Sequence, residues 1–274
     1  MTDGVATAND GEVLVCTISR PDRGNSLRHQ DTAALADALE AVSRDGGARA
    51  VLLRSEGRNF CAGADLTGTA VGGPNKPAGT SRGKPAAGHL RQQLEAGAHR
   101  LILAVWQCRV PVVAAVQGRA AGLGCNLAAA CDLVVAGRSA SFSEPFVRLG
   151  FSVDSAGSWL LSRRIGLTRA AAMLLRGIVL DASQAEGWGL VAEVVDDAEL
   201  EKTAAELAAE LAAGPTLALS LTKGLLQRHS GSGVGLAEAL AEEAMAVELS
   251  VRSDDFKEGM LAFGEKRPPH FTGR

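Results

Sequence analysis

Five short apolar stretches, set apart by segments of helical period, constrain this chain more than any other feature. Residues 12–19 (EVLVCTIS), 48–54 (ARAVLLR), 111–118 (PVVAAVQG), 132–137 (DLVVAG) and 190–195 (LVAEVV) have the length and composition of strands. Helical stretches lie between them. Asp31 reads as an N-cap, with Leu35, Leu39 and Val42 on one helical face behind it. Further helices are predicted over residues 89–107, through Asn126–Ala130, and at about 155–165 and 168–176. Such alternation implies α/β layers with a largely parallel sheet. From about residue 198 the chain is nearly all helical, rich in Ala, Leu and Glu, with breaks at Gly214-Pro215 and at 230–233. No repeat of fixed length occurs.

Charge and cysteine content exclude several classes of function. The net charge is −3 with acids and bases intermixed, so the concentrated basic face that nucleic acid requires is not expected. No run of about 18 apolar residues predicts a membrane span, and the polar, acidic start MTDGVATANDGE is not a signal peptide. Cys16, Cys61, Cys108, Cys125 and Cys131 are odd in number, scattered and without a CxxC pair, which suits thiols in a reducing cytoplasm. The five histidines, His29, His89, His99, His229 and His270, do not cluster in sequence, and no metal site is expected. Residues 67–88, rich in Gly, Pro and Ala, read as a long loop. It is either a lid or binding loop or a tolerated surface insertion.

Two glycine turns share one design. In FCAGADL, Gly63 puts the amide of Ala64 at the start of the next element. In GRAAGLGCNL a strand ends at Gly118 and a helix begins near Gly122-Leu123-Gly124. Each offers backbone N–H groups with no bulky side chain in the way, and the second adds the donors of a helix N-terminus. Converging, they would form an oxyanion hole; apart, they serve only tight turns or close packing. Two other motifs fail: a dinucleotide fingerprint from Gly122 would need a third glycine where Leu127 stands. A nucleophile elbow at Gly150-Phe-Ser152 would need one where Asp154 stands.

Asn59-Phe-Cys-Ala-Gly-Ala-Asp-Leu66 resembles the first oxyanion motif of the crotonase (enoyl-CoA hydratase/isomerase) superfamily. Gly118-Arg-Ala-Ala-Gly-Leu-Gly-Cys-Asn-Leu127, with Cys131-Asp-Leu133 behind it, resembles the second. Ser183–Val191 and Glu258–Pro268 followed by Phe271 resemble two further family stretches. The resemblance runs from about residue 12 to the end. It implies a spiral of ββα units over 1–195 carrying an acyl-CoA site, and a C-terminal helical region over 196–274 that supports a homotrimer or a dimer of trimers. It also implies an acyl-CoA thioester as substrate, with coenzyme A brought in by that substrate and no separate cofactor. By position, Ala64 and Leu123 supply the two amides. The nucleotide is expected near the PDRGNSL turn and Ala62, Asp65 and Leu66, with Phe263 and Lys266 of the last helix also close. Lys266 suits a phosphate, or is a solvated helix charge.

The family's hydratases use two glutamates. Here the matching positions hold Asn126 and Phe146, which the resemblance leaves lining the substrate. Adding water needs a base and an acid, and Asn cannot titrate. Glu144 matches no catalytic position of the family, though in an extended segment it would share a face with Phe146. Asp154 matches the catalytic aspartate of relatives such as dienoyl-CoA isomerases and epoxyphenylacetyl-CoA isomerases. On residues alone the favoured reading is an N-cap for the helix that follows. Phe146, Phe151 and Trp159 would give it an apolar setting. The expected reaction is an isomerisation by proton shuttling through Asp154; the alternatives are hydration of a 2-enoyl-CoA, or acyl-CoA binding without chemistry.

Overall fold

A computed structural model describes residues 2–67, 88–231 and 233–274. The long loop set apart above lies outside them, except for its flanking residues Thr67 and Gly88. The chain opens with a hairpin, β1 (Val5–Asp10) antiparallel to β2 (Val13–Ile18). Asn9-Asp10-Gly11 is a turn sequence, but β1 is mostly exposed and its outward side chains hide the strand in the sequence. A 3-10 turn (Pro21–Arg23) leads to α1 (His29–Asp45) and β3 (Ala50–Ser55). Then α2 (His89–Leu94) runs through a π-helical turn (Glu95–His99) into α3 (Arg100–Trp106). Next come β4 (Val112–Val116), β5 (Arg119–Ala121), α4 (Leu123–Ala130), β6 (Leu133–Gly137), β7 (Ser141–Ser143) and a second 3-10 turn (Phe146–Leu149). α5 (Gly157–Ile165), α6 (Leu167–Arg176), β8 (Val179–Asp181), α7 (Ala182–Trp188) and β9 (Glu193–Val195) follow. The rest is helical: α8 (Leu200–Ala213), α9 (Thr216–His229), α10 (Leu236–Ser250) and α11 (Asp254–Glu265).

The larger sheet has the order β1-β2-β3-β4-β6-β9 and is parallel beyond its first hairpin. A smaller sheet, β5-β7-β8, stands beside it. β4 leads into β5 and β6 into β7, so successive turns of the chain add one strand to each sheet. Leu35 and Leu39 of α1, Leu101 and Val105 of α3 and Leu127 of α4 bury one side of the large sheet. On the other side Leu200, Ala204, Ala208 and Ala212 form a stripe on α8, packed on Leu52, Val113, Ala115 and Val135. Small side chains at every fourth position let the helix lie close to the strands. Covered on both faces, β3, β4 and β6 read as unbroken apolar runs.

Asp31 is not the N-cap of α1. Arg28 takes that place, and Asp31 is the third helical residue, its carboxylate accepting from the Arg28 backbone N–H at 3.0 Å and from its guanidinium at 2.8 Å. The acid still stands where the positive end of the helix favours it. No helix among the described residues is long and apolar enough to cross a membrane.

A half-buried ion pair ties the C-terminal helices to the core. Lys223 of α9 donates to Asp132 Oδ2 at 2.6 Å and to the Val110 carbonyl at 3.1 Å, and Asp132 also accepts from the Val112 N–H at 2.7 Å. Lys223→Met leaves the Asp132 carboxylate half-partnered, so it lowers the unfolding free energy by about 2 kcal/mol. Chemical denaturation monitored by circular dichroism measures the loss.

Candidate active site

The two glycine turns lie against each other. Cys61 N–H donates to the Arg119 carbonyl at 3.0 Å, and Ala121 N–H returns to the Cys61 carbonyl at 2.9 Å. A parallel bridge thus joins Cys61 to Ala120. At Gly63 (φ +111°) an added Cβ would stand 3.0 Å from the Ala121 carbonyl oxygen and 4.0 Å from the Leu123 nitrogen. At Gly124 it would stand 2.1 Å from the Cys61 carbonyl oxygen. Only glycine admits this approach of one backbone to another. Ala64 faces Leu27 in a second bridge, with Leu27 N–H donating to Gly63 O at 2.9 Å and Asp65 N–H donating to Leu27 O at 2.8 Å. That pairing does not use the Ala64 N–H. Leu123 is the first residue of α4, so its N–H has no acceptor within the helix. The two expected donors therefore come from segments stitched together by hydrogen bonds.

The PDRGNSL turn is pinned beneath the first of these segments. Asn25 is fully buried and left-handed (φ +59°). Its Nδ2 donates to the carbonyls of Glu56 (2.7 Å) and Asn59 (2.6 Å), and its Oδ1 accepts from the Arg20 N–H (2.8 Å). Ala62 N–H donates to Gly24 O at 2.9 Å. Asp65 is engaged by Arg20 at 2.9 Å and by the Thr67 backbone and hydroxyl, and these hydrogen bonds hold its carboxyl below the usual range against the opposing effect of burial. Leu66 is half-exposed beside it.

Asp154 is not a helix cap. α5 begins three residues later, at Gly157, and the intervening Ser155 (φ +55°) and Ala156 (φ +63°) are both left-handed. Two such residues without glycine cost about 1–2 kcal/mol each. The Asp154 side chain is left for other contacts. Its Oδ1 lies 2.6 Å from His99 Nε2, and its Oδ2 accepts from the Ser155 hydroxyl at 3.1 Å. His99 sits on the π-helical turn, an irregularity common at functional sites. Sequence reasoning missed His99, because 55 residues separate it from Asp154 and the long loop precedes it. The isolated π turn has no local signature.

Asn126 links the two halves of the site. It is fully buried one turn into α4, and its Nδ2 donates to the Asp154 carbonyl at 3.0 Å. Its Oδ1 has no partner among the described residues. Glu144, also fully buried, has no partner for either carboxyl oxygen among them. Burial pushes its pKa up to about 8, with the neighbouring Cys125 and Asn126 side chains pulling the other way. The segment is not extended: Pro145 (ψ 2°) turns the chain into a 3-10 turn, so Glu144 is buried while Phe146 is only half-buried. The Phe146 ring approaches Gly122 and meets Phe151 edge to face at 5.4 Å. Trp159 does not join this apolar group. It pairs with Trp106 at 5.0 Å and, with Leu226, lines a separate cavity of about 510 Å³. Phe263 stands 83% exposed on α11, and Lys266 is exposed just past its end. Among the described residues no group of three or more His, Cys, Asp or Glu side chains is placed to hold a metal ion.

Comparison with known proteins agrees with this geometry. The model of the family described as "Enoyl-CoA hydratase/isomerase" matches residues 8–274. A Rhodobacter capsulatus protein named "Probable enoyl-CoA hydratase" is 40% identical over 266 residues, 96% of this chain and 95% of its own. The 1,2-epoxyphenylacetyl-CoA isomerase of Escherichia coli is 40% identical over 262 residues, with the same coverage of each chain. A crystal structure of an enoyl-CoA hydratase/isomerase-type protein from Mycobacterium abscessus superposes with a TM-score of 0.89 at 35% identity, covering 98% of this chain and all of that one. The fold is the crotonase fold anticipated from the sequence.

Gly124→Ala forces the Cys61 carbonyl away and so moves the two turns apart. Catalytic efficiency (kcat/KM) on an enoyl-CoA falls by about 100-fold or more, the size of a lost oxyanion donor. Steady-state kinetics measure this, and an unchanged far-ultraviolet circular dichroism spectrum shows that the fold survives.

Proposed function

Because this chain belongs to the enoyl-CoA hydratase/isomerase family, whose substrates are acyl-CoA thioesters, we propose that it isomerises its substrate by moving a proton through Asp154. One observation carries this reading. Asn126 stands one turn along α4 from Leu123 and donates to the backbone carbonyl of Asp154, which ties the backbone of that aspartate to the helix that carries the second amide. The two positions where the family's hydratases carry glutamate hold Asn126 and Phe146.

The substrate's thioester oxygen accepts from the Ala64 and Leu123 N–H groups. Asp154 takes a proton from a carbon next to that carbonyl or conjugated with it. The C–H electron pair moves toward the thioester oxygen, and the two amides hold the resulting enolate. The same carboxyl then returns the proton to a different carbon, so the double bond shifts and no water enters. His99 keeps one carboxyl oxygen oriented, as a second group commonly does for a catalytic acid or base. Phe146 borders the acyl group, and Ala62, Asp65 and Leu66 border the nucleotide end together with the PDRGNSL turn, with Phe263 and Lys266 of the last helix also close to it. No cofactor is required beyond the coenzyme A that the substrate carries.

Hydration is the second reading. The hydratase-named relative favours it, and the buried Asn126 Oδ1 offers an acceptor for a water molecule. The C-terminal helices support self-association into trimers: Leu236, Met245, Met260 and Phe263 are each more than half exposed, and apolar surface of this extent is normally covered. Five free, buried cysteines fit a reducing cytoplasm.

Asp154→Asn keeps the shape of the side chain and removes its basicity. It binds the acyl-CoA with a Kd within about threefold of the parent and loses about 1,000-fold in kcat for isomerisation. Full turnover by this variant would overturn the mechanism. His99→Gln, which disturbs orientation only, lowers kcat by about tenfold.

A further inference from the structure

Glu144 has no part in the mechanism above, yet it is a fully buried carboxyl with no hydrogen-bond partner among the described residues. It follows β7 directly, and β7 is tied to the start of α4 by the bond from Gly122 N–H to Ser143 O at 2.9 Å. This places the carboxyl against Cys125 and Asn126, the third and fourth residues of α4. Three buried oxygens there lack partners: both oxygens of Glu144 and the Oδ1 of Asn126. As an ionised carboxylate, Glu144 is an acceptor only, and so is Oδ1. Acceptors cannot satisfy one another. Turning the Asn126 amide over does not help, because Oδ1 would then face the Asp154 carbonyl, two acceptors about 3.0 Å apart. No ion pair reaches Glu144 among the described residues, and its titratable neighbour Cys125 is itself held as a neutral thiol by burial. A single proton on Glu144 serves two of the three: the carboxyl becomes a donor and Oδ1 its acceptor, while the Cys125 thiol and the second Nδ2 hydrogen of Asn126 are the donors left beside the other carboxyl oxygen.

We propose that Glu144 is a positioning residue: an uncharged carboxylic acid that donates to Asn126 Oδ1 and thereby locks the amide whose other end holds Asp154. This rests on Asp154 being the acid/base. The chain of contacts runs from Glu144 through Asn126 to the backbone of Asp154, and from the Asp154 carboxylate to His99. It compensates for the left-handed backbone at Ser155 and Ala156, which on its own would let the aspartate drift. The proton is retained at neutral pH, since burial raises the pKa of Glu144 from 4.5 to about 8. The sign follows from linkage. The folded state holds this proton and the unfolded state releases it, so its contribution to stability is full below about 4.5 and is lost as pH rises through about 8.

Glu144→Gln keeps a donor of the same shape, and Glu144→Leu removes it. With a 3-enoyl-CoA as substrate, Glu144→Gln keeps kcat within about threefold, whereas Glu144→Leu loses about tenfold or more in kcat with little change in KM. The kcat of the parent falls as pH passes about 8, and that fall is missing in Glu144→Gln. Infrared difference spectra of the parent against Glu144→Gln show a protonated carboxyl band at pH 7. A carboxylate band instead, or full kcat in Glu144→Leu, overturns the proposal. If Glu144→Leu does not fold, the infrared band and the pH profile of Glu144→Gln decide it. The infrared band does not depend on turnover, so a failure of the isomerase mechanism, seen as an active Asp154→Asn, is read separately.

Discussion

The parallel bridge between Cys61 and Ala120 is the contact on which the site depends. It joins the segment after β3 to the segment after β4, and both strands are neighbours in the large sheet. The sheet therefore sets the spacing of the two turns, and the bridge sets their register. Gly63 and Gly124 let the backbones approach. A pair of N–H groups aimed by rigid elements needs no reorganisation when charge develops on a bound oxygen, which is why such a pair is effective. On the proposed reading, substrate polarisation is thus built into the main chain and owes little to side-chain identity.

Proton chemistry, by contrast, is assigned by side chains placed around that fixed frame. On the proposed reading, Asn126 and Phe146 stand where the family's hydratases carry glutamate, and Asp154 arrives from a strained connection before α5. The strain at Ser155 and Ala156 persists because three contacts hold the segment: the Asn126 amide on the Asp154 carbonyl, His99 on its carboxylate, and the hydrogen bond from Gly157 N–H to Asp154 O. Backbone conformations of this kind gather at functional sites, where surrounding contacts over-determine them. On the proposal above, the buried Glu144 belongs to the same arrangement, packed against Cys125 and Asn126.

Much of this was legible in the sequence, and the omissions have physical causes. β3, β4 and β6 are covered on both faces and so appear as continuous apolar runs. β5, β7 and β8, three residues each, are too short to show a period. β1 was hidden because its outward side chains face solvent. The glycine turns were visible as motifs, but their convergence depends on strand order, which no local pattern encodes. Asp154 read locally as a helix cap, and the left-handed backbone of Ser155 and Ala156 removes that reading by moving the start of α5 to Gly157. His99 and the inward turn of Glu144 at Pro145 are tertiary facts with no local signal.

The central claim is that one carboxyl moves a proton between carbons and no water is added. Incubating the protein with crotonyl-CoA and, separately, with a 3-enoyl-CoA in deuterated water, followed by mass spectrometry, tests it most directly. The account predicts a shifted double bond with deuterium in the acyl chain and no mass gain from water. Rapid gain of the mass of water on crotonyl-CoA would contradict it and assign Asp154 and Asn126 to hydration.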